Sequence, residues 1–433
     1  MRGWPSVEFG VKGTATLALA LRSLWARRFT AVLTILSIAT ATLLFLAVEN
    51  LRQGARASFE RTISGTDLIV GARSSPINLV LYSVFQIGDP TNNITWQTVG
   101  EIAERGDVAW LVPISLGDSH RGYRVVGTSA EYFERYRYAG GQALGFGEGR
   151  AFDDLFDVVV GAQVARELAY EVGDSITLSH GLGETSFVEH AATPFRISGV
   201  LQSTGTPVDR SVLVSLGAIE AIHAGWQNGM PTPMSRRATP DRLRDIDFTP
   251  ESVTAVLIGA TSRVQVLRLQ RDLNTYGGEP LQAVIPGVAL GQLWDMVSVV
   301  ERALAIVSTF VIVVGMVGIL TSILSTLNAR RREMSILRAV GARSRTILGL
   351  LVSEAALLAF LGAVLGVGML YALLWGLGPL MEARFGIAPA RRLPGVFDLA
   401  VVGVLTLAAA LLGLVPALRA LKTSVADGLS IRV

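Results

Sequence analysis

The sequence predicts a membrane protein: four transmembrane α-helices, with a large extracytoplasmic α+β domain inserted between helices 1 and 2. Three observations predict it. Half of the 433 residues are hydrophobic and 17% are charged, where an ordinary soluble chain carries about a quarter charged. The charge deficit, with a mean hydropathy of +0.47, falls in a few long apolar runs, while the stretch from about Asn50 to Val300 reads as globular. Basic residues gather on one side of those runs.

A helix needs about 20 mostly apolar residues to cross the hydrocarbon core. Four runs meet that length: Phe29 to Val48, Ala303 to Leu327, Ile347 to about Leu377, and Leu399 to Leu418. The first has a basic flank (Arg22, Arg27, Arg28) like a secretory signal. Its apolar run is too long for a signal core and lacks a small-x-small cleavage site, so it reads as a retained anchor.

Arg and Lys in short loops set the orientation. Arg2, Lys12, Arg22, Arg27 and Arg28 precede the first run, six arginines from Arg330 to Arg345 follow the second, and Arg419, Lys422 and Arg432 follow the fourth. All three segments fall on one side, which is the cytoplasm. Arg384, Arg391 and Arg392 on the other side are a mild violation.

The expected layout is a cytoplasmic N-terminal amphipathic segment 1–28 and helix 1 with a stalk 29–63. The outer domain 64–287 follows, then a stalk with helix 2 over 288–328 and a cytoplasmic coupling segment 329–346. Helix 3 spans 347–377, an external loop 378–398, helix 4 399–418, and a cytoplasmic tail 419–433. The stalks follow from length: Phe29 to Ile63 holds no proline and a single glycine. As one helix it extends roughly 50 Å, against about 30 Å of hydrocarbon. A break near Glu49 is the alternative.

Within the outer domain, strand cores are predicted at Asp67–Val70, Asp157–Val160, Ile176–Leu178, Phe195–Val200, Val212–Val214 and Val253–Ile258. Thr95 is a cap for a helix ending near Arg105, and Gln163–Tyr170 and Ser262–Leu273 are further helices. The Pro- and Arg-rich stretch Gln227–Pro250 reads as a surface loop. Pro76–Phe85, apolar without alternation, is either a core element or a greasy contact for a partner.

Several chemistries are excluded. Without cysteine there is no disulfide, thiolate metal site or thiol nucleophile. A net charge of +3 gives no reason to expect nucleic acid. A P-loop requires Gly-Lys followed by Ser or Thr, so that backbone amides and the Lys surround the phosphates. Lys12 precedes Gly13 and Lys422 follows Leu421, so neither serves. The chain is therefore expected to be no ATPase and to hold no cofactor. His180 and His190 flank a polar loop with Glu184 and Glu189; the readings are exposed loop histidines or a weak zinc candidate without a ligand motif. Glu354 is the single carboxylate within a run, which reads as a coupling pair with the basic loop or as a proton relay. Gly362 and Gly366 form a small-xxx-small face for close helix packing, a weak pointer to oligomerisation.

After the second run the chain reads Arg330-Arg331-Arg332-Glu333-Met334-Ser335-Ile336-Leu337-Arg338-Ala339-Val340-Gly341-Ala342-Arg343, followed by Ser353-Glu354-Ala355. This segment resembles the signature of the MacB/FtsX permease family of ABC transporters, Arg-x-Arg-Glu-Ile-Gly-x-Leu-Arg-Ala-x-Gly-Ala with Glu-Ala beyond. Met334 and Ser335 depart from it. Leu19–Ala41, Asp157–Leu178 with Val160-Gly161 and Val172-Gly173-Asp174, and the ending Pro416-Ala417 to Leu429 agree in order with the same family.

The resemblance implies a permease driven by an ABC ATPase that binds ATP and Mg. Ile336, Leu337 and Val340 form one face of a short amphipathic helix beside Arg338 and Arg343. Glu333, Ile336, Leu337, Arg338, Ala339, Gly341 and Ala342 would contact the ATPase. It further implies a second permease copy as a homodimer, a periplasmic adaptor or binding protein, and the bacterial inner membrane with the large domain in the periplasm. Motion would pass along the stalks (mechanotransmission) for export or extraction of a periplasmic or membrane substrate. The alternative is a membrane-anchored extracytoplasmic sensor or binding module, metal-linked or not, without transport.

Overall fold

The computed structural model describes residues 28–180, 193–224, 226–227, 230–231, 240–329, 344–385 and 394–422. The chain divides into two compact units: Met1–Gly54, Val299–Met381 and Pro389–Val433 form one, Ala55–Ser298 and Glu382–Ala388 the other.

Four helices are long and apolar enough to cross a membrane, with apolar portions Arg28–Gly54, Pro286–Ser325, Ser344–Gly378 and Val396–Arg419. The first, α1, runs Arg28–Thr62 without a break, 35 residues or about 52 Å. Glu49, where an interruption was the alternative, sits inside the helix and takes a bidentate bond from Arg52 one turn on, at 2.6 and 2.9 Å. The second long helix covers Pro286–Ala329 and the third Ser344–Phe385. The third continues eight residues past the expected end at Leu377, because Gly378 and Pro379 do not stop it. The fourth, Val396–Lys422, carries Pro416 inside.

The other unit is built on an eleven-stranded mixed sheet. Its strands are β1 (Leu68–Ala72), β2 (Val108–His120), β3 (Tyr123–Thr128), β4 (Phe146–Gly149), β5 (Asp157–Val160), β6 (Ser175–Ile176), β7 (Ser179–His180), β8 (Phe195–Leu201), β9 (Ser211–Ser215), β10 (Ala255–Ala260) and β11 (Leu281–Val284). The order across the sheet is β11-β1-β10-β2-β3-β9-β5-β8-β4, with β7 on β2 and β6 on β8. The pairs β3–β9 and β5–β8 are parallel and the other neighbours antiparallel. Two differences from the sequence expectation have physical causes. Val253–Ile258 divides: Ser252–Val253 pairs with Ile94–Thr95, and only from Ala255 does the chain join the sheet. The β2–β3 hairpin was missed, since Ser115, Gly117, Asp118, Ser119 and His120 break the apolar pattern; Arg121 and Gly122, both at positive φ, make its two-residue turn.

Both sheet faces are covered, so the strands are apolar on both sides. Along β10, Ala255 and Leu257 face one cluster and Val256 and Ile258 the opposite one. The first cluster takes the helix Pro76–Val84, whose Leu79, Val80 and Tyr82 are at most 1% exposed; the Pro76–Phe85 run is core. On the other face the helices Trp96–Ala103 and Val266–Asn274 cover one half. Ala162–Leu168 and Leu216–His223 cover the other. Thr95 caps its helix by accepting from Thr98 N, and Ser215 caps Leu216–His223 by accepting from Ala218 N. On β11, the Asn274 side chain meets both outward backbone groups of Ala283: Oδ1 accepts its N–H at 2.8 Å and Nδ2 donates to its carbonyl at 3.2 Å.

Candidate functional site

The closest helix contacts in the membrane unit are made at glycines, beside a buried cluster that includes Ile38, Ile319, Ile323 and Leu351. An added Cβ at Gly362 would stand 2.7 Å from Ile38 Cβ, and at Gly366 2.6 Å from the Ala39 carbonyl oxygen and 2.8 Å from Thr42 Cβ. The small-xxx-small face is therefore occupied within the chain, by α1. Read from sequence as a pointer to oligomerisation, it packs helix 3 onto helix 1. Gly413 plays the same part on the fourth helix, where an added Cβ would stand 3.0 Å from Ala355 Cβ and 3.3 Å from Val352 Cα. Apolar side chains gain little by leaving lipid for one another, so backbone approach at such positions carries the association.

Glu354 lies between Leu351 and Ala355 and is 4% exposed. A carboxylate at such depth belongs inside the bundle, away from lipid. A second buried carboxylate among the described residues of the long helices is Asp398, just before the expected start of helix 4 at Leu399. Its Oδ2 accepts from Gly395 N at 2.7 Å, capping the fourth helix, and from Tyr371 of the third helix at 2.8 Å. Arg52 joins Glu49 to Glu301 of the second helix, at 4.0 Å. The signal for Asp398 is its place in the first turn of an apolar run, three residues after Gly395, where an acidic side chain can reach back to a free N-terminal amide.

The predicted ATPase-contacting residues Glu333, Ile336, Leu337, Arg338, Ala339, Gly341 and Ala342 lie outside the described residues, as does His190. His180 is described as part of β7, in register opposite Asp118 of β2; its side chain lies outside the description.

The other two histidines are engaged. Nδ1 of His120 is 2.6 Å from the Thr177 carbonyl, which can only accept, so Nδ1 carries the hydrogen; Nε2 then accepts from Tyr170 Oη at 2.8 Å. His223 Nε2 is 3.7 Å from the buried Asp118. One turn back, burial pushes the Glu220 carboxyl up, with Glu251 adding to this and His223 opposing it. Burial, then the bond to Glu167, pushes the Tyr123 hydroxyl up to about 12. Among the described residues no three His, Asp or Glu side chains converge as a metal site. These groups hold the β2 end and its helix together.

Long apolar helices bundled at glycines, with a folded mixed-sheet domain carried between the first two, define an integral membrane protein with an extracytoplasmic domain. The MacB-like periplasmic core domain family matches residues 30–276 and the FtsX-like permease C-terminal family residues 305–425. The chain belongs to the MacB/FtsX-type ABC transporter permeases. It is 23% identical over 363 residues to the pyoverdine export ATP-binding/permease protein PvdT of Pseudomonas syringae pv. tomato, covering 80% of this chain and 50% of that one. To the macrolide export ATP-binding/permease protein MacB of Nitrosomonas europaea it is 22% identical over 367 residues, 81% of this chain and 50% of that one. The chain thus spans about half the length of the curated relatives it matches. Among solved structures, the periplasmic region of MacB from Actinobacillus actinomycetemcomitans superposes with a TM-score of 0.33 at 10% identity, covering 54% of this chain and 95% of that one.

Proposed function

We propose that this permease takes up the motion of a partner ABC ATPase at the segment around Ile336–Ala342 and passes it along its long helices to the outer domain, for export or extraction of a substrate from the membrane or the outer compartment. One observation carries the reading. The helix whose apolar portion ends at Gly54 continues as helix to Thr62 with no break. The partner binds ATP and Mg; these 433 residues contain no P-loop. The names of the relatives, which join ATP-binding to permease and specify pyoverdine or macrolide export, support an exporter class without choosing a substrate. The working unit is two permease copies in the bacterial inner membrane with the sheet domain in the periplasm, joined there by an adaptor or binding protein.

The test is recruitment. The full chain should co-purify with its ATPase, and Leu337→Asp, which puts a charge on the apolar face of the contacting helix, should lower that affinity by about tenfold or more. A correctly inserted chain that recruits no ATPase, while its outer domain binds a ligand or metal, would make it a sensor instead.

A further inference from the structure

At one end of the sheet the core face turns polar. On β3 and β9, Val126 and Leu213 belong to the first apolar cluster. Two residues earlier on the same strands, and so on the same face, stand Arg124 and Ser211, paired in register. Ser119 of β2 is in register with Arg124 on its other side, and Ser179 of β7 with Ser119. The row across four strands therefore reads Ser179, Ser119, Arg124, Ser211, one guanidinium between short hydroxyl side chains.

Arg124 is 7% exposed, and a guanidinium at such depth calls for partners to its five N–H donors. Among the described residues it makes one hydrogen bond, from Nη2 to Asp89 Oδ1 at 3.0 Å. Ser211 offers it little, since Oγ already accepts from Gln86 Nε2 at 2.6 Å and donates to the Pro207 carbonyl at 3.0 Å. Asp89 is 73% exposed and lies on the loop that follows the helix Pro76–Val84. That loop roofs the row at two points, Gln86 on Ser211 and Asp89 on Arg124. Gln86 has a φ of 57°, and Gly88, between the two points, a φ of 78° with nothing within 4 Å of an added Cβ. One contact to a solvated carboxylate is a weak reason to hold a guanidinium out of water. The arrangement is a charged anchor with donors to spare, under a loop tied to it by a single exposed acid.

We propose that Arg124 anchors a binding site for a carboxylate-bearing small molecule, with Asp89 as the stand-in that occupies the guanidinium until the ligand displaces it. A free carboxylate can take the fork through two parallel N–H···O bonds, where Asp89 takes one. Asp89 returns to water that already surrounds most of it, so the exchange favours the ligand. The site lies wholly within the sheet domain and stands whether or not an ATPase is recruited.

The test uses the full chain in nanodiscs of zwitterionic lipid, titrated with succinate by calorimetry at fixed ionic strength. Wild type should bind succinate. Asp89→Asn removes the competing charge and should bind it about tenfold more tightly. Arg124→Lys keeps the charge but loses the fork, and should bind at least about tenfold more weakly. Should Arg124→Lys fail to fold, the exposed Asp89→Asn decides alone. Succinate should also raise the melting temperature of Asp89→Asn more than that of wild type, as tighter binding requires. No succinate binding, or an affinity in Asp89→Asn no tighter than wild type, makes the pair a structural clasp for the loop and overturns the site. Inorganic phosphate is the second arm: if it binds more tightly than succinate with the same dependence on Asp89, the carboxylate assignment is overturned.

Discussion

Among the described residues of the membrane unit the positions with no exposure are Ala39, Thr42, Ala355, Ala359, Ala363, Ala409 and Ala417, while in the sheet domain they include Leu68, Leu79, Ile94, Phe195, Ile197 and Leu213. The same chain packs by two different rules. Where water is the alternative, burying a Leu or Phe side chain is worth about 1.5–3 kcal/mol, and large side chains collect in the centre. Where lipid is the alternative, that term vanishes and close approach of backbones remains. Large apolar side chains such as Phe310, Val314 and Leu407 accordingly stay exposed at 62–68% on the helices. The sheet domain fills its centre with large side chains, while the membrane unit sets alanines and glycines at its closest helix contacts beside buried Ile319, Ile323 and Leu351.

The contrast can be broken at its strongest point by Gly366→Leu. The first added carbon alone would stand 2.6 Å from the Ala39 carbonyl oxygen, so helices 1 and 3 must separate, a loss of roughly 3 kcal/mol or more. The check is a thermal melt of the full chain in detergent, with Gly368→Leu as control, since nothing lies within 4 Å of a Cβ there; equal melts for the two variants would sink the rule. Next in size, Leu79→Ala should remove about 2–5 kcal/mol from the sheet domain. Urea unfolding followed by tryptophan fluorescence should register it while the membrane unit is unaffected.

The smallest effect is electrostatic. Asp107 is held below the usual carboxylate range first by the hydrogen bond from Arg105, at 2.9 Å, despite some opposing burial. Its folded pKa being depressed, its contribution is present above the ordinary carboxylate value of about 4 and is lost as pH falls through the lower folded value. Both partners are partly solvated, so Asp107→Asn should remove under about 1 kcal/mol near neutrality and flatten the acid limb of a stability–pH curve below about pH 4.

The same contrast decides what the sequence disclosed. The long helices were legible because a span needs a run of apolar residues with charged ends, and Phe29–Val48 or Leu399–Leu418 has few other readings. Asp157–Val160 was legible as a buried strand for a similar reason. The hairpin of β2 and β3 was not: its polar half holds Asp118 and His120, whose partners His223, Thr177 and Tyr170 are distant in sequence. The role of Gly362 and Gly366 was half legible. Spacing gave a packing face, but only the fold assigns that face to α1.

The amide of Asn274 against Ala283 has a consequence for assembly. An edge strand normally offers its free backbone groups as a template on which another chain can lay a strand. On β11 that invitation is withdrawn at Ala283, since the asparagine imitates the missing neighbour with one donor and one acceptor. A partner that reached this flank would have to evict Asn274 before it could pair, so β-addition here is disfavoured and contacts through side chains are the open route.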